Sequence, residues 1–289
     1  MRVSAGWSDY ELIDCSDGER LERWGDIILI RPDPSVIWKT ERVDPLWKKA
    51  DARYKRSSSG GGSWVLYNRL PAQWTIHYKS LSLNVRTMGF KHTGIFPEQA
   101  VNWDYTMKKI KASERRLKVL NLFGYTGAAT VAALSAGASV THVDASRGMV
   151  TWARENAVSS GVEDKPVRWL VDDCKKFVER EIRRGNTYDI IIMDPPSYGR
   201  GPGGEVWKLE DELSGLVELC SRLMNEDSCF FMLSSYTAGL SCGVMEYIIS
   251  SVFRPGLGGV VKGEEIGLPV TDSGFILPCG STVIWENTK

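Results

Sequence analysis

From residue 115 onward, short apolar runs alternate with stretches whose apolar positions recur three and four residues apart, the spacing of a helix with one buried face. The runs at 119–123, 140–144, 167–171, 188–194 and 229–234 predict strands. Helices are predicted between them, from 127 to about 136, 146 to about 160, 173 to about 184, 209 to about 224 and 240 to 253. The interior runs VLNLF, IIIM and FFML are almost continuously apolar, as strands covered by helices on both faces must be. The rhythm predicts a doubly wound, Rossmann-like α/β sheet, mostly parallel. The tail segments VVKGEEI and STVIW predict a closing antiparallel hairpin around an intervening loop.

Before residue 90 the period falls to two. YELID, the turn SDG, LERW and DIILIR predict a meander of strands that ends at Pro32 and Pro34, and SWVLYNRL, WTIHYKS and LSLNVRT resume the alternation. This predicts a small β-rich domain over 1–88 and an α/β domain over 89–289. The first part is dense in tryptophan (Trp7, Trp24, Trp38, Trp47, Trp64 and Trp74), which suits the core of a small β domain and, in a second reading, stacking on nucleobases. Lys48, Lys49, Arg53, Lys55 and Arg56 lead into the Ser/Gly-rich segment 57–63. They read as a solvated surface or as an arm that contacts phosphates.

Composition narrows the class. With 36 basic and 36 acidic residues the formal net charge is zero, so binding to a polyanion requires a local patch. Candidate patches are Lys108, Lys109, Lys111, Arg115 and Arg116, and Lys175, Lys176, Arg183 and Arg184; both also suit solvated helix faces. The six cysteines form no CxxC pair and only three histidines are present, so neither zinc nor disulfides are expected. No stretch has the pattern of a leader or a membrane span, and a cytoplasmic protein is expected.

In an open α/β sheet, ligands sit at the carboxyl ends of the strands near the switch point. At those ends stand the turn NLFGYTG (121–127), Asp144, Asp172 with Asp173, the segment DPPSY (194–198), and Ser234-Ser235-Tyr236. The turn runs into the small-residue helix AATVAALSAGA and is expected to present backbone N–H groups to a ligand. Asp144, about twenty residues beyond the first strand, is placed to accept hydrogen bonds from both hydroxyls of a ribose. Asp173 or Asp172 is placed to receive an adenine amino group; helix capping is the other role open to Ser146 and Asp173. With only Gly124 and Gly127 the turn lacks the GxGxxG that lets a pyrophosphate approach, and no GK[ST] follows it. A nicotinamide dinucleotide and a P-loop nucleotide are thereby disfavoured against S-adenosylmethionine. Pro195 and Pro196 remove two donors, so the segment after Asp194 presents carbonyls and a carboxylate, and Tyr198 offers a ring for stacking.

The linked segments NLFGYTGAATVAALSAGASVTHVDAS, WARENA, VDDCKKFV, YDIIIMDPPSY and, upstream, HTGIFPEQAVNWDY resemble class I S-adenosylmethionine-dependent methyltransferases. More narrowly they resemble the bacterial 23S rRNA cytosine-5 group, over roughly residues 85 to 285. The resemblance implies a cofactor site of Asn121, Phe123, Gly124, Thr126, Gly127, Asp144, Ala145, Ser146, Asp172, Asp173 and Asp194. Phe96 and Gln99 would close over its methionine end. It also implies that Asp194 and Pro195 face the methyl group, with RNA, ribosomal above all, as acceptor; Tyr198, read above as a stacking ring, completes the expected catalytic set, and no metal is expected because the sulfonium is already activated. Cytosine-5 chemistry uses a thiolate nucleophile, which the group carries after the fifth strand; here that segment is LSSY (233–236), without a cysteine. Acceptors in a protein or a small molecule, or RNA binding without catalysis, remain alternatives at this stage.

Overall fold

The computed structural model describes residues 1–57, 61–201, 203–237 and 239–288. It divides into two compact units, residues 2–101 with 266–279, and residues 102–265 with 280–289 and Met1. The position 88/89 lies inside the first of these, because the chain from 89 to 101 and the turn between the two last strands both pack there.

In the N-terminal unit, β1 (Arg2–Val3) runs parallel to Ile266 and Gly267. The strands β2 (Tyr10–Ser16), β3 (Glu19–Trp24), β4 (Ile27–Pro32), β5 (Ala52–Arg56) and β6 (Gly62–Leu66) form one sheet in chain order. A hairpin of β7 (Trp74–Tyr78) and β8 (Leu81–Val85) completes the unit. Asp17 and Gly18 both have positive φ, 52° and 78°, the geometry that joins two twisted strands through a two-residue turn. The tryptophans are less buried than a core role requires. Only Trp24 is fully enclosed, Trp38 is 39% exposed, and the other four are half-buried with their indole N–H groups donating to oxygen. An indole is large and carries one donor, so it settles where its body is dry and its N–H is satisfied. Beneath the sheet lies a buried ion pair, Arg31 donating through two nitrogens to both oxygens of Glu22, which also accepts from the Tyr10 hydroxyl.

The larger unit follows the predicted alternation. Its elements are α1 (Ala100–Ala112), β9 (Lys118–Leu122), α2 (Ala128–Ser135), β10 (Ser139–Asp144), α3 (Arg147–Ser159), β11 (Val167–Val171), α4 (Cys174–Arg183) and β12 (Ile190–Met193). After them come β13 (Tyr198–Arg200), β14 (Val206–Lys208), α5 (Leu209–Ser221), β15 (Phe230–Ser235), α6 (Cys242–Leu257), β16 (Val260–Pro269) and β17 (Ile276–Glu286). The sheet order is β16-β17-β15-β12-β9-β10-β11; β15, β12, β9, β10 and β11 are parallel, and β17 runs antiparallel to β15. This is the expected doubly wound sheet with its closing hairpin. One face packs Leu120, Leu122, Ile191, Met193, Phe231 and Leu233 against side chains of α4, α5 and α6. On the alternate positions Val119, Ile190 and Phe230 are buried on the opposite face, and the Tyr105 ring of α1 meets Phe230 at 5.1 Å. The Gly/Pro-rich stretch after β12 contains the β13–β14 hairpin.

Candidate functional site

Strand register assembles the site. Leu122 is paired with Met193 on one side and Val143 on the other, and Met193 with Leu233. The residues that follow, Phe123, Asp144, Asp194 and Ser234, therefore emerge at one edge. β9 has its successor β10 on one flank and β12 on the other, which makes this edge the topological switch point.

The turn after β9 is strained. Phe123 and Tyr125 adopt positive φ, 54° and 49°, and Gly127 follows at 81°. For a bulky residue that region is costly, so the surroundings must hold it. They do so by taking up the turn's N–H groups. Phe123 N–H donates to Cys174 Sγ (3.3 Å), Gly124 N–H to the Val143 carbonyl (3.0 Å), Tyr125 N–H to Asp144 Oδ2 (2.8 Å) and Gly127 N–H to the Gly124 carbonyl (2.9 Å). The expectation that these groups point outward is thus corrected: four of them are spent on fixing the turn. Gly124 is required by space, because a Cβ there would overlap the His142 imidazole, and one at Gly127 would stand 2.6 Å from Ala153 Cβ. Beneath the turn Asn121 donates to Thr130 Oγ1 (2.9 Å), which bonds His142 Nδ1 (2.9 Å), and Asn156 donates to the Thr126 carbonyl (2.7 Å). Asn121 and Thr126 are buried and serve this scaffold. Burial pushes the pKa of His142 down to about 3, so the ring is neutral.

Asp144 is aimed by two backbone donors, Tyr125 N–H on Oδ2 and Ser146 N–H on Oδ1, both at 2.8 Å. Each oxygen keeps a lone pair for a further donor. Burial raises the carboxyl's pKa above its usual value, against the opposing pull of those two bonds. Ser146 caps α3 through Met149 N–H (3.4 Å), and Ala145 between them is half-buried. Asp173 caps α4 by accepting from Lys176 N–H (2.9 Å), and Asp172 pairs with Arg180. Both capping roles left open by the sequence are filled.

After β12 the chain passes through half-buried Asp194, buried Pro195 and exposed Pro196 to Tyr198, which is 54% exposed at the start of β13. The hairpin is tied down at three points. Trp207 Nε1–H donates to the Pro196 carbonyl (2.6 Å), the Trp207 ring lies 5.0 Å from that of Phe123, and Glu205 pairs with Lys176 of α4. The Ser197 and Thr237 hydroxyls share a hydrogen bond of 2.7 Å that links the loops after β12 and β15. Trp207 was not foreseen from the sequence; a lone large aromatic at the end of a Gly-rich loop was its only signal. Phe96 and Gln99 belong to the N-terminal unit, where Gln99 N–H donates to the Phe96 carbonyl (3.0 Å).

With this geometry in place, residues 46–218 match the S-adenosylmethionine-dependent methyltransferase family. The chain belongs to that family. The SAM-dependent methyltransferase of Agrobacterium tumefaciens, a crystal structure, matches 99% of this chain and 92% of its own with a TM-score of 0.94 at 38% identity. SMU.776, solved with S-adenosylhomocysteine, matches 97% of this chain and 76% of its own with a TM-score of 0.74; at 22% identity that likeness bears on the fold. Curated relatives from several bacteria carry the name ribosomal RNA large subunit methyltransferase K/L. One from Shewanella baltica is 32% identical over 144 residues, covering 46% of this chain and 19% of the relative. The one from Pseudoalteromonas atlantica is 38% identical over 107 residues, covering 37% and 14%. The chain thus spans less than a fifth of the length of those relatives.

The methyltransferase uses S-adenosylmethionine, and its strand-end acceptors suit that cofactor. Asp144 offers oriented acceptor oxygens, and the turn places no third glycine where a pyrophosphate would need one. Cys174 is buried beneath the turn with its pKa driven up by burial, and Cys242 in the first turn of α6 is shifted in the same direction for the same reason. No helix among the described residues is long and apolar enough to cross a membrane.

Proposed function

We propose that this methyltransferase modifies a nucleobase of RNA, ribosomal RNA foremost, and that the accepting atom is a base nitrogen. The RNA acceptor is supported by the 32–38% identity to relatives named for ribosomal RNA. The nitrogen is supported by one observation at the site: the segment after β12 is a carboxylate followed by two prolines, with LSSY in place of a cysteine on the neighbouring strand. Carbon-5 attack needs a thiolate to add to the ring first, whereas an amino group brings its own lone pair and needs acceptors to hold its hydrogens.

In this reading Asp144 holds the ribose of the cofactor, Asp173 and Asp172 border its adenine, and the turn at Phe123 and Gly124 lines its methionine part. S-adenosylmethionine supplies a methyl group already activated by the sulfonium, so no metal is needed. Asp194 and the Pro195 carbonyl would accept the N–H hydrogens of the base and aim its lone pair; the N–CH₃ bond would form as the S–CH₃ bond breaks, with S-adenosylhomocysteine leaving, and the Asp194 carboxylate would take up the released proton. Tyr198 stacks on the base face, and Trp207 keeps the loop in register. A chain acting on ribosomal RNA works in the cytoplasm.

The test is mass spectrometry of ribosomal RNA nucleosides from a deletion strain, with methyl-tritiated cofactor and purified protein in parallel. One N-methylated nucleoside disappears and is restored by the wild type but not by Asp194→Ala. Loss of 5-methylcytosine instead overturns the nitrogen, and an unchanged nucleoside profile with label in protein or small molecules overturns the RNA acceptor.

A further inference from the structure

The chains leaving β12 and β15 stay in step after the ladder between them has ended. Ile190 pairs with Phe230, and the pairing runs on in parallel to Met193 with Leu233. Ser197 and Thr237 stand at the positions where the same register would bring them, and their hydroxyls lie 2.7 Å apart. Between Met193 and Ser197 come Pro195 and Pro196, which have no N–H to donate, so the backbone ladder cannot continue through them. A hydrogen bond between side chains takes its place.

On the β15 side the bond is anchored in the interior. Ser234 and Thr282, both buried, share a hydrogen bond of 3.1 Å, and each accepts from the side-chain amide of Asn102 in α1, at 3.2 and 2.9 Å. Gly280 of β17 lies so close to the next residues that a Cβ there would stand 2.9 Å from the Ser235 carbonyl oxygen and 2.9 Å from the Tyr236 ring. Thr237 N–H then donates to Ser235 Oγ (3.2 Å), and the Thr237 carbonyl accepts from Leu240 N–H (3.2 Å). On the β12 side the Ser197 carbonyl accepts from Leu209 N–H at the start of α5 (3.0 Å), and the Pro196 carbonyl from the Trp207 indole. Backbone carbonyls thus hold the segment after Asp194 toward the hairpin and α5, and the hydroxyl pair ties it to β15.

We infer that Thr237, acting through Ser197, is a positioning residue for methyl transfer: the hydroxyl pair fixes where Asp194 and Pro195 stand against the acceptor. The inference rests on the segment after β12 being the acceptor side of the site, and adds what holds it there. The pair is exposed to water, which replaces either hydroxyl when the other is lost, so the bond contributes little to global stability. Its effect falls on alignment, where a small displacement of a group that orients the substrate costs far more in rate than in stability.

The test uses the full chain, methyl-tritiated S-adenosylmethionine and total RNA. Thr237→Val keeps the branched shape without the hydroxyl, Ser197→Ala removes the other partner, and Thr237→Ser keeps the bond. Thr237→Val and Ser197→Ala are each expected to lower kcat about tenfold, the double variant no further than either alone, and Thr237→Ser to keep the wild-type rate. Tm and affinity for S-adenosylmethionine stay at wild-type values. Hydrogen–deuterium exchange is expected to quicken in the peptide covering 197–209 in Thr237→Val and Ser197→Ala. An unchanged kcat, losses that multiply in the double variant, a Thr237→Ser as slow as Thr237→Val, or a Tm that falls with the rate would each overturn the inference. Asp194→Ala separates it from the reading beneath it. Transfer abolished by Asp194→Ala but untouched by Thr237→Val removes the positioning role and keeps the acceptor side, whereas full transfer by Asp194→Ala removes the acceptor side itself. A wild type that labels no RNA removes RNA as acceptor, and the exchange of 197–209 then decides the link: unchanged exchange overturns it, and faster exchange supports it.

Discussion

Asp144 and Gly124 are the two residues whose chemistry the site constrains most. Tyr125 and Ser146 each point a backbone N–H at one oxygen of Asp144, so both positions demand an acceptor. Asp144→Asn keeps the shape but turns an NH₂ toward one of those donors. A charge-assisted bond becomes a donor–donor conflict, which costs about 1–3 kcal/mol. Calorimetry is expected to show S-adenosylmethionine affinity weakened between about fivefold and 150-fold, since 1.4 kcal/mol is a factor of ten. At Gly124 a methyl group would occupy space filled by the His142 ring. Gly124→Ala is expected to destabilise the larger unit by about 1–3 kcal/mol, the usual cost of overpacking. The two sites are in contact, so combining it with His142→Ala makes room and the losses do not add; additive losses in a double-mutant cycle would contradict the steric cause.

Among elements, the β13–β14 hairpin lies against the switch-point edge through the Trp207 ring on Phe123. It is short and half-exposed, and a two-stranded hairpin has little stability of its own. Its place is set by the Trp207 bond to Pro196, the ring pair with Phe123 and the Glu205–Lys176 ion pair. The ion pair is exposed and screened by solvent, so the indole is the main anchor. Trp207→Ala is therefore expected to lower methyl transfer through kcat and the acceptor KM, with cofactor affinity and Tm nearly unchanged. A loss confined to cofactor affinity would assign Trp207 to the cofactor and not to the loop.

At the scale of the whole molecule, buried histidines make stability sensitive to mild acid. His142 in the larger unit has its pKa depressed to about 3, and His92 in the N-terminal unit to about 4, both chiefly by burial. An unfolded histidine binds its proton near pH 6.5, so below that value the unfolded chain holds more protons than the folded one. Each residue's contribution is complete above about pH 6.5 and is lost progressively as pH falls toward the folded value. The slope is about 1.4 kcal/mol per pH unit per histidine. Urea unfolding between pH 7.5 and 5 should show stability falling within this window, and His142→Asn should flatten the slope for the larger unit. A profile that stays level down to the carboxylate range would place the protons elsewhere.

The division between sequence and tertiary structure follows the range of the forces. Local periodicity determined the alternating strands and helices, because burial of one face imposes a period of 2 or 3.6 on neighbouring residues. The acids at the strand ends and the DPPSY segment were legible for the same reason: once the strands are known, their ends are known. What the turn's N–H groups bond to was not legible. For three of the four the partners, Cys174, Val143 and Asp144, lie between 19 and 51 residues away, and only sheet register brings them together. The same holds for Gly124 against His142, and for Trp207, whose role depends on a hairpin folding back onto Phe123. The tryptophans of the first hundred residues were readable as apolar and aromatic, but their exposure was set by how a small sheet shares too little interior among too many large rings. Sequence alone determined which residues stand at the carboxyl ends of the strands; tertiary structure decided which polar groups there remain available to a ligand, because that depends on distant pairings.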